Sequence, residues 1–255
     1  MLQLFFDSGL SLPLILINLC IFIVTLAVSL SMHEIMHGWA AYKCGDPTAK
    51  EQGRLSFNPL VHLDPVGTIM MLLAGFGWAK PVMINPGKMN RFKNRNISLR
   101  IVSLAGVTAN FAMAFIAYFL LIMLVVICYY QNIYFELGYF FTMSADYSLV
   151  SILLSILATF LYVLFERNLV LMAFNLIPIP PLDGFHFVET FLPAGIRYKL
   201  SSMGRNLSYI LFLVMMFGRY TNTNILGRMI NFIMIPFEYA IVEPLGKLLD
   251  LLIPG

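Results

Sequence analysis

Charge is what this 255-residue chain has least of: 11% of its residues are Asp, Glu, Lys or Arg, against 60% that are hydrophobic. An ordinary soluble domain is about 25% charged and about 45–50% apolar. No single water-facing core of this size could absorb so much apolar side chain, and the mean hydropathy of +0.83 agrees. Cysteine is scarce as well. Cys20, Cys44 and Cys128 lie far apart and form no C-x-x-C, so a disulfide framework is not expected. Lys and Arg are missing altogether before Lys43, so the start lacks the basic region of a secretory leader and is read as part of the mature chain. The net charge of +3 is too small and too unevenly spread for nucleic-acid binding. Internal repeats and a soluble domain of useful size are absent too. What remains is an all-α polytopic membrane protein.

A helix needs about 20 apolar residues to cross a hydrocarbon core roughly 30 Å thick. The first span runs from Pro13 to about Tyr42, stopped by Cys44-Gly45-Asp46-Pro47. Others run from Ile97 to about Tyr130 and from Leu149 to Ile177, and two shorter crossings are expected near 203–218 and 225–242. That makes about five transmembrane helices (four to six). Val66–Ala79 is apolar but too short to cross and holds Gly67, Gly75 and Gly77, so a re-entrant or edge-strand segment is expected around 66–86. The chain reads as one membrane domain over 1–255, with a core of about 13–185 and C-terminal membrane helices over about 200–253.

Basic residues orient it. Six of the 16 Lys and Arg lie between Lys80 and Arg100, while 131–148 has none. The positive-inside rule then puts 43–97 and 178–200 in the cytoplasm, with 131–148 outside. A cell-membrane (inner or plasma membrane) location follows.

Within the first span stands His33-Glu34-Ile35-Met36-His37. Positions i and i+4 share a helix face, so both imidazoles can reach one metal ion. The glutamate between them sits where a general base for an activated water is needed. The same three residues could instead form a helix-packing cluster or line a proton path, but ionisable groups inside a span are costly and usually functional. Catalytic zinc wants a third protein ligand and an open position. Asp183, in Asn175-Leu-Ile-Pro-Ile-Pro-Pro-Leu-Asp183-Gly184, arrives at a similar depth, because the prolines end the inward-running third span near Ile177. Non-helical backbone at that depth must line a cavity or be buried in protein. Asn175 is a candidate to orient Asp183 by a hydrogen bond or to cap the helix end. His62 and His186 are read as loop or outer residues, and Glu166-Arg167, which as neighbours on a helix cannot face one another, are read as pairing with another helix ahead of catalysis.

This combination resembles the site-2 protease family of intramembrane zinc metalloproteases, in its compact bacterial type. Three further stretches carry the resemblance: Gly53 to Thr68, Gly77-Trp-Ala-Lys-Pro-Val82 and Leu104-Ala-Gly106-Val-Thr-Ala-Asn110. It covers about residues 13–185. The resemblance implies a zinc-dependent endopeptidase that cuts membrane-protein or signal-peptide-like substrate helices near the cytoplasmic side, with a separate regulatory partner possible. One zinc per chain would be held by His33, His37 and Asp183, with Glu34 activating water. Asn110 would hold the substrate carbonyl or its oxyanion. Val107 stands where many relatives have proline. The competing reading is a membrane zinc transporter or metal sensor that binds without hydrolysis; it would favour paired broken helices in two related halves, which the sequence lacks.

Overall fold

The computed structural model describes residues 10–74, 77–135, 148–217 and 225–253. Eight helices account for most of them: α1 (Leu12–Lys43), α2 (Thr48–Glu51), α3 (Pro65–Ala74), α4 (Arg95–Tyr130), α5 (Leu149–Asn175), α6 (Asp183–Glu189), α7 (Ala194–Phe217) and α8 (Ile225–Leu252). Their ends are written in the sequence. Pro13 lies in the first turn of α1, where a missing N–H costs nothing. Gly45, at φ +101°, turns the chain after it. Asn94 and Ser148 accept backbone N–H groups at the starts of α4 and α5.

Among the described residues four helices, α1, α4, α5 and α8, are long and apolar enough to cross a membrane. Helices α1, α4 and α5 form the centre. They approach closely because small residues line their contacts: Ala105, Gly106, Ala109, Ala114 and Ala117 on α4, Ser155, Ala158 and Ala173 on α5, and Thr25 and Ser29 on α1. Packing of this kind, with hydrogen bonds between helices, holds helices together where no hydrophobic drive operates. Helix α8 runs parallel to α4: Phe237 meets Phe111 with ring centroids 5.6 Å apart, and Tyr130 Oη donates to the Leu252 carbonyl at 2.7 Å.

Two expectations need correction. The anticipated edge strand over 66–86 is not there: no strand occurs among the described residues, and the nearest feature is one isolated bridge between Leu63 and Ala79. Residues 65–74 are helical instead (75 and 76 lie outside the described residues). The reason is a start signal: Asp64 Oδ1 accepts the Gly67 N–H at 2.8 Å and Pro65 fills the first turn. Secondly, among the described residues four candidate spans stand where about five were expected: α7 is not one of the helices long and apolar enough to cross. Helix α5 ends near the level at which α8 begins, since Ile177 and Leu182 share a cluster with Leu226, Met229 and Ile230. The chain between them starts and finishes on one side. The expected external loop 131–148 lies mostly outside the described residues.

Beyond the end of α1, a loop cluster is tied down by two buried charged groups. Asp46 accepts N–H groups from Thr48 (3.1 Å) and Asn85 (2.6 Å). Burial pushes its carboxyl up, but the Thr48 hydroxyl, which also donates to it, together with these two bonds outweighs that and holds it below the ordinary value. The Arg54 guanidinium donates to the carbonyls of Val61, Lys80 and Pro81. It thereby joins the chain on either side of α3.

Candidate metal centre

Three helices bring the site together. Helix α1 presents His33 and His37 one turn apart; α4 packs across them; and the Pro-rich turn after α5 delivers Asp183 as the first residue of α6. Contact between α4 and the imidazoles depends on a missing side chain. A Cβ on Gly106 would lie 2.5 Å from His37 Nε2 and 2.6 Å from His33 Cε1. Gly184 serves the other wall, where a Cβ would sit 2.2 Å from the Leu176 carbonyl oxygen.

Hydrogen bonds fix the tautomer of each ring. Ser29 O is an acceptor only, and the Asn110 Nδ2 group donates to it at 3.3 Å and to Asn168 Oδ1 at 2.7 Å. Asn110 Oδ1 therefore faces His33 Nδ1, 2.6 Å away, and takes its proton in a hydrogen bond. His37 Nδ1 donates to the Val102 carbonyl at 2.7 Å. With Nδ1 of each ring engaged as a donor, a neutral imidazole would leave its Nε2 lone pair for a metal ion. These two nitrogens are 3.0 Å apart, and each lies 3.1 Å from Asp183 Oδ2. Three potential ligand atoms converge there, each within 3.1 Å of the other two, as one shared cation would require. The spacing suits zinc: bonds of about 2 Å in a tetrahedral set put donor atoms about 3.3 Å apart, a few tenths beyond the distances found. Imidazoles with a carboxylate are also a donor set zinc favours. Among the described residues this is the His/Cys/Asp/Glu group able to hold a metal ion.

Glu34, partly exposed beside this triangle, accepts the Val82 backbone N–H through Oε2 at 2.8 Å. Of the other residues singled out from sequence, Asn110 is fully buried, with its amide hydrogens directed at Asn168 and Ser29 rather than at an open cleft. Asn175 does not reach Asp183; its Nδ2 donates within α5 to Leu171 O at 3.0 Å. His62 is fully buried and bonded to Ser56 O at 2.9 Å, and His186 pairs with Glu189 at 3.0 Å, so neither joins the cluster. Glu166 and Arg167 approach each other loosely, at 4.0 Å, and the guanidinium lies 5.2 Å from the Phe22 ring of α1.

Sequence reasoning missed Asn168 and Val82. Asn168 is wholly buried and ties α5 to both other helices, donating to Ser29 Oγ at 2.9 Å while accepting from Asn110. An amide in the middle of an apolar span was the available signal. Val82 contributes through its backbone, which leaves no trace in residue identity.

Comparison with known proteins gives a consistent result. The profile of peptidase family M50 matches residues 21–218. The chain is 41% identical over 193 residues to "Putative zinc metalloprotease YwhC" of Bacillus subtilis (strain 168), covering 76% of this chain and 78% of that protein. No solved structure matches. A multi-pass bundle with a His-His-Asp metal cluster, matched along most of its length, places the chain in peptidase family M50, the site-2 proteases, as a zinc-dependent intramembrane metalloendopeptidase.

Proposed function

We propose that His33 Nε2, His37 Nε2 and Asp183 Oδ2 hold one zinc ion per chain and that Glu34 carries the proton in hydrolysis of substrate helices. The observation that carries this is the pair of Nε2 atoms 3.0 Å apart, closed on the third side by the Asp183 carboxylate. Zinc bound there would supply an acidified water and polarise the scissile carbonyl.

The remaining work falls to the chain. Asn110 and Val102 hold the imidazoles in the tautomer that leaves Nε2 free, as outer partners of metal ligands commonly do. That is the role the geometry favours for Asn110, in place of contact with substrate. The Val82 N–H fixes Glu34 Oε2, so Oε1 is the atom that takes a proton from water and returns it to the leaving amine. Arg54 steadies this arrangement by gripping Lys80 and Pro81, the two residues before Val82.

Orientation follows from charge. Lys43, Lys50, Arg54, the six basic residues of 80–100, Arg197 and Lys199 all belong to the metal-site end, whereas Lys247 lies at the other. The positive-inside rule places the metal-site end in the cytoplasm of a cell membrane. Cleavage then occurs near the cytoplasmic side, in membrane-protein or signal-peptide-like helices, by a single membrane domain with its core at about 13–185.

Glu34→Gln keeps the shape of the side chain while removing the base. The variant is expected to retain zinc and to lose cleavage of a transmembrane peptide by at least 10²-fold. Turnover at the wild-type rate would reject the role given to Glu34.

A further inference from the structure

Helix α7 is 24 residues long, about 36 Å at 1.5 Å per residue, yet it is not among the helices apolar enough to cross a membrane. One stripe faces the protein. Leu211 is buried in a cluster with Ile177 and Leu182, and Gly204 lies with its would-be Cβ 3.8 Å from Pro180. Leu200, Leu207 and Ser208 continue that stripe at helical spacing and are half-buried. Outside it, Ile196, Tyr198, Met203, Tyr209, Ile210, Leu213 and Val214 are exposed. Lys199, Ser202 and Asn206 are exposed between them, so the outer face mixes large apolar side chains with polar ones, as an interfacial helix does.

The charges on the helix are of one sign. It carries Arg197, Lys199 and Arg205 and no acid, and Arg219 with Thr221, Asn222, Thr223 and Asn224 follows directly. Polar residues at both ends exclude burial of the whole element in hydrocarbon. Apolar side chains between basic ones, on a helix packed at the level where α5 ends and α8 begins, fit the boundary between headgroups and acyl chains.

We infer that α7 lies along the membrane–water interface on the metal-site side, with its exposed apolar side chains in the acyl boundary and its positive charge favouring an anionic surface. The helix rests against Pro180 and Leu182, so the leaflet surface braces the turn from which Asp183 projects. Each basic residue near an anionic surface favours that position by about fivefold. The inference rests on the membrane fold and not on which residues bind zinc.

The full-length protein in sealed vesicles tests it. Cysteines are introduced separately at Tyr198 and Ile225, both exposed, and labelled with a membrane-impermeant maleimide against the wild-type background. Labelling of both from the same face is expected; labelling from opposite faces makes α7 a crossing and overturns the inference. A fluorophore at Tyr209→Cys then reads depth. Quenching by headgroup-proximal spin-labelled lipid should exceed quenching by a mid-chain label. The excess should grow when phosphatidylglycerol is added to phosphatidylcholine, and the R197Q/K199Q/R205Q variant should lose that growth. A fluorophore shielded from both quenchers would mean that protein, not lipid, covers the helix, and would equally overturn the inference.

Discussion

Gly106→Ala is the smallest change that should dismantle the metal centre. The added Cβ would lie 2.5 Å from His37 Nε2, against 3.4 Å for ordinary contact, so about 0.9 Å must be recovered. Metal–ligand distances tolerate only about 0.2 Å. The nearest atoms belong to imidazole rings held through Nδ1 by Asn110 and Val102, so they cannot yield without losing those bonds. Overpacking a tight contact costs about 1–3 kcal/mol, which on the binding equilibrium is about 5- to 150-fold. Zinc affinity measured by competition with a chromophoric chelator, on protein in detergent or nanodiscs, should fall by that factor with helix content unchanged. Retention of wild-type affinity by Gly106→Ala would refute the packing argument and, with it, the placement of the two rings against α4.

Asp183→Ala should lower the zinc content of the purified protein, and an unchanged stoichiometry would remove Asp183 from the ligand set. Asn110→Ala should weaken zinc binding by about 10- to 100-fold, as removal of an outer partner does, and Asn168→Ala should act in the same direction but less, because it touches His33 only through Asn110; the same chelator competition measures both. Asp46 has a folded pKa below the ordinary carboxylate value. Its contribution to stability is thus complete above about pH 3.9 and lost as the pH falls through the lower folded value. Asp46→Asn should be less stable than wild type at neutral pH, with the gap narrowing in acid, as thermal unfolding followed against pH would record.

The first, second and third spans were legible because each is a long apolar run closed by a recognisable stop, such as Cys44-Gly45 after α1. The convergence of His33, His37 and Asp183 was legible for a different reason: helical spacing pairs the imidazoles, and counting residues from the span ends puts Asp183 at their depth. Apolar composition misled at α7, where the run 207–217 looks like half a crossing. Only packing, with Leu226 and Met229 against Ile177 and Leu182, brings the start of α8 to the level at which α5 ends. Around 66–86 the glycines suggested extended chain, whereas Asp64-Pro65 was a helix start in plain view. Asn110 carried an expectation set by its motif, but its hydrogen-bond partners come from α1 and α5 and are invisible until the helices are assembled. Backbone groups such as Val82 N–H have no signature in sequence at all.

The central claim is that one cation is gripped by side chains from α1 and from the turn after α5. An anomalous difference map collected at the zinc edge, from crystals of the purified protein, tests it most directly. A single peak about 2 Å from His33 Nε2, His37 Nε2 and an Asp183 carboxylate oxygen is the expected result. A peak that excludes Asp183, or zinc bound elsewhere in the chain, would contradict the account.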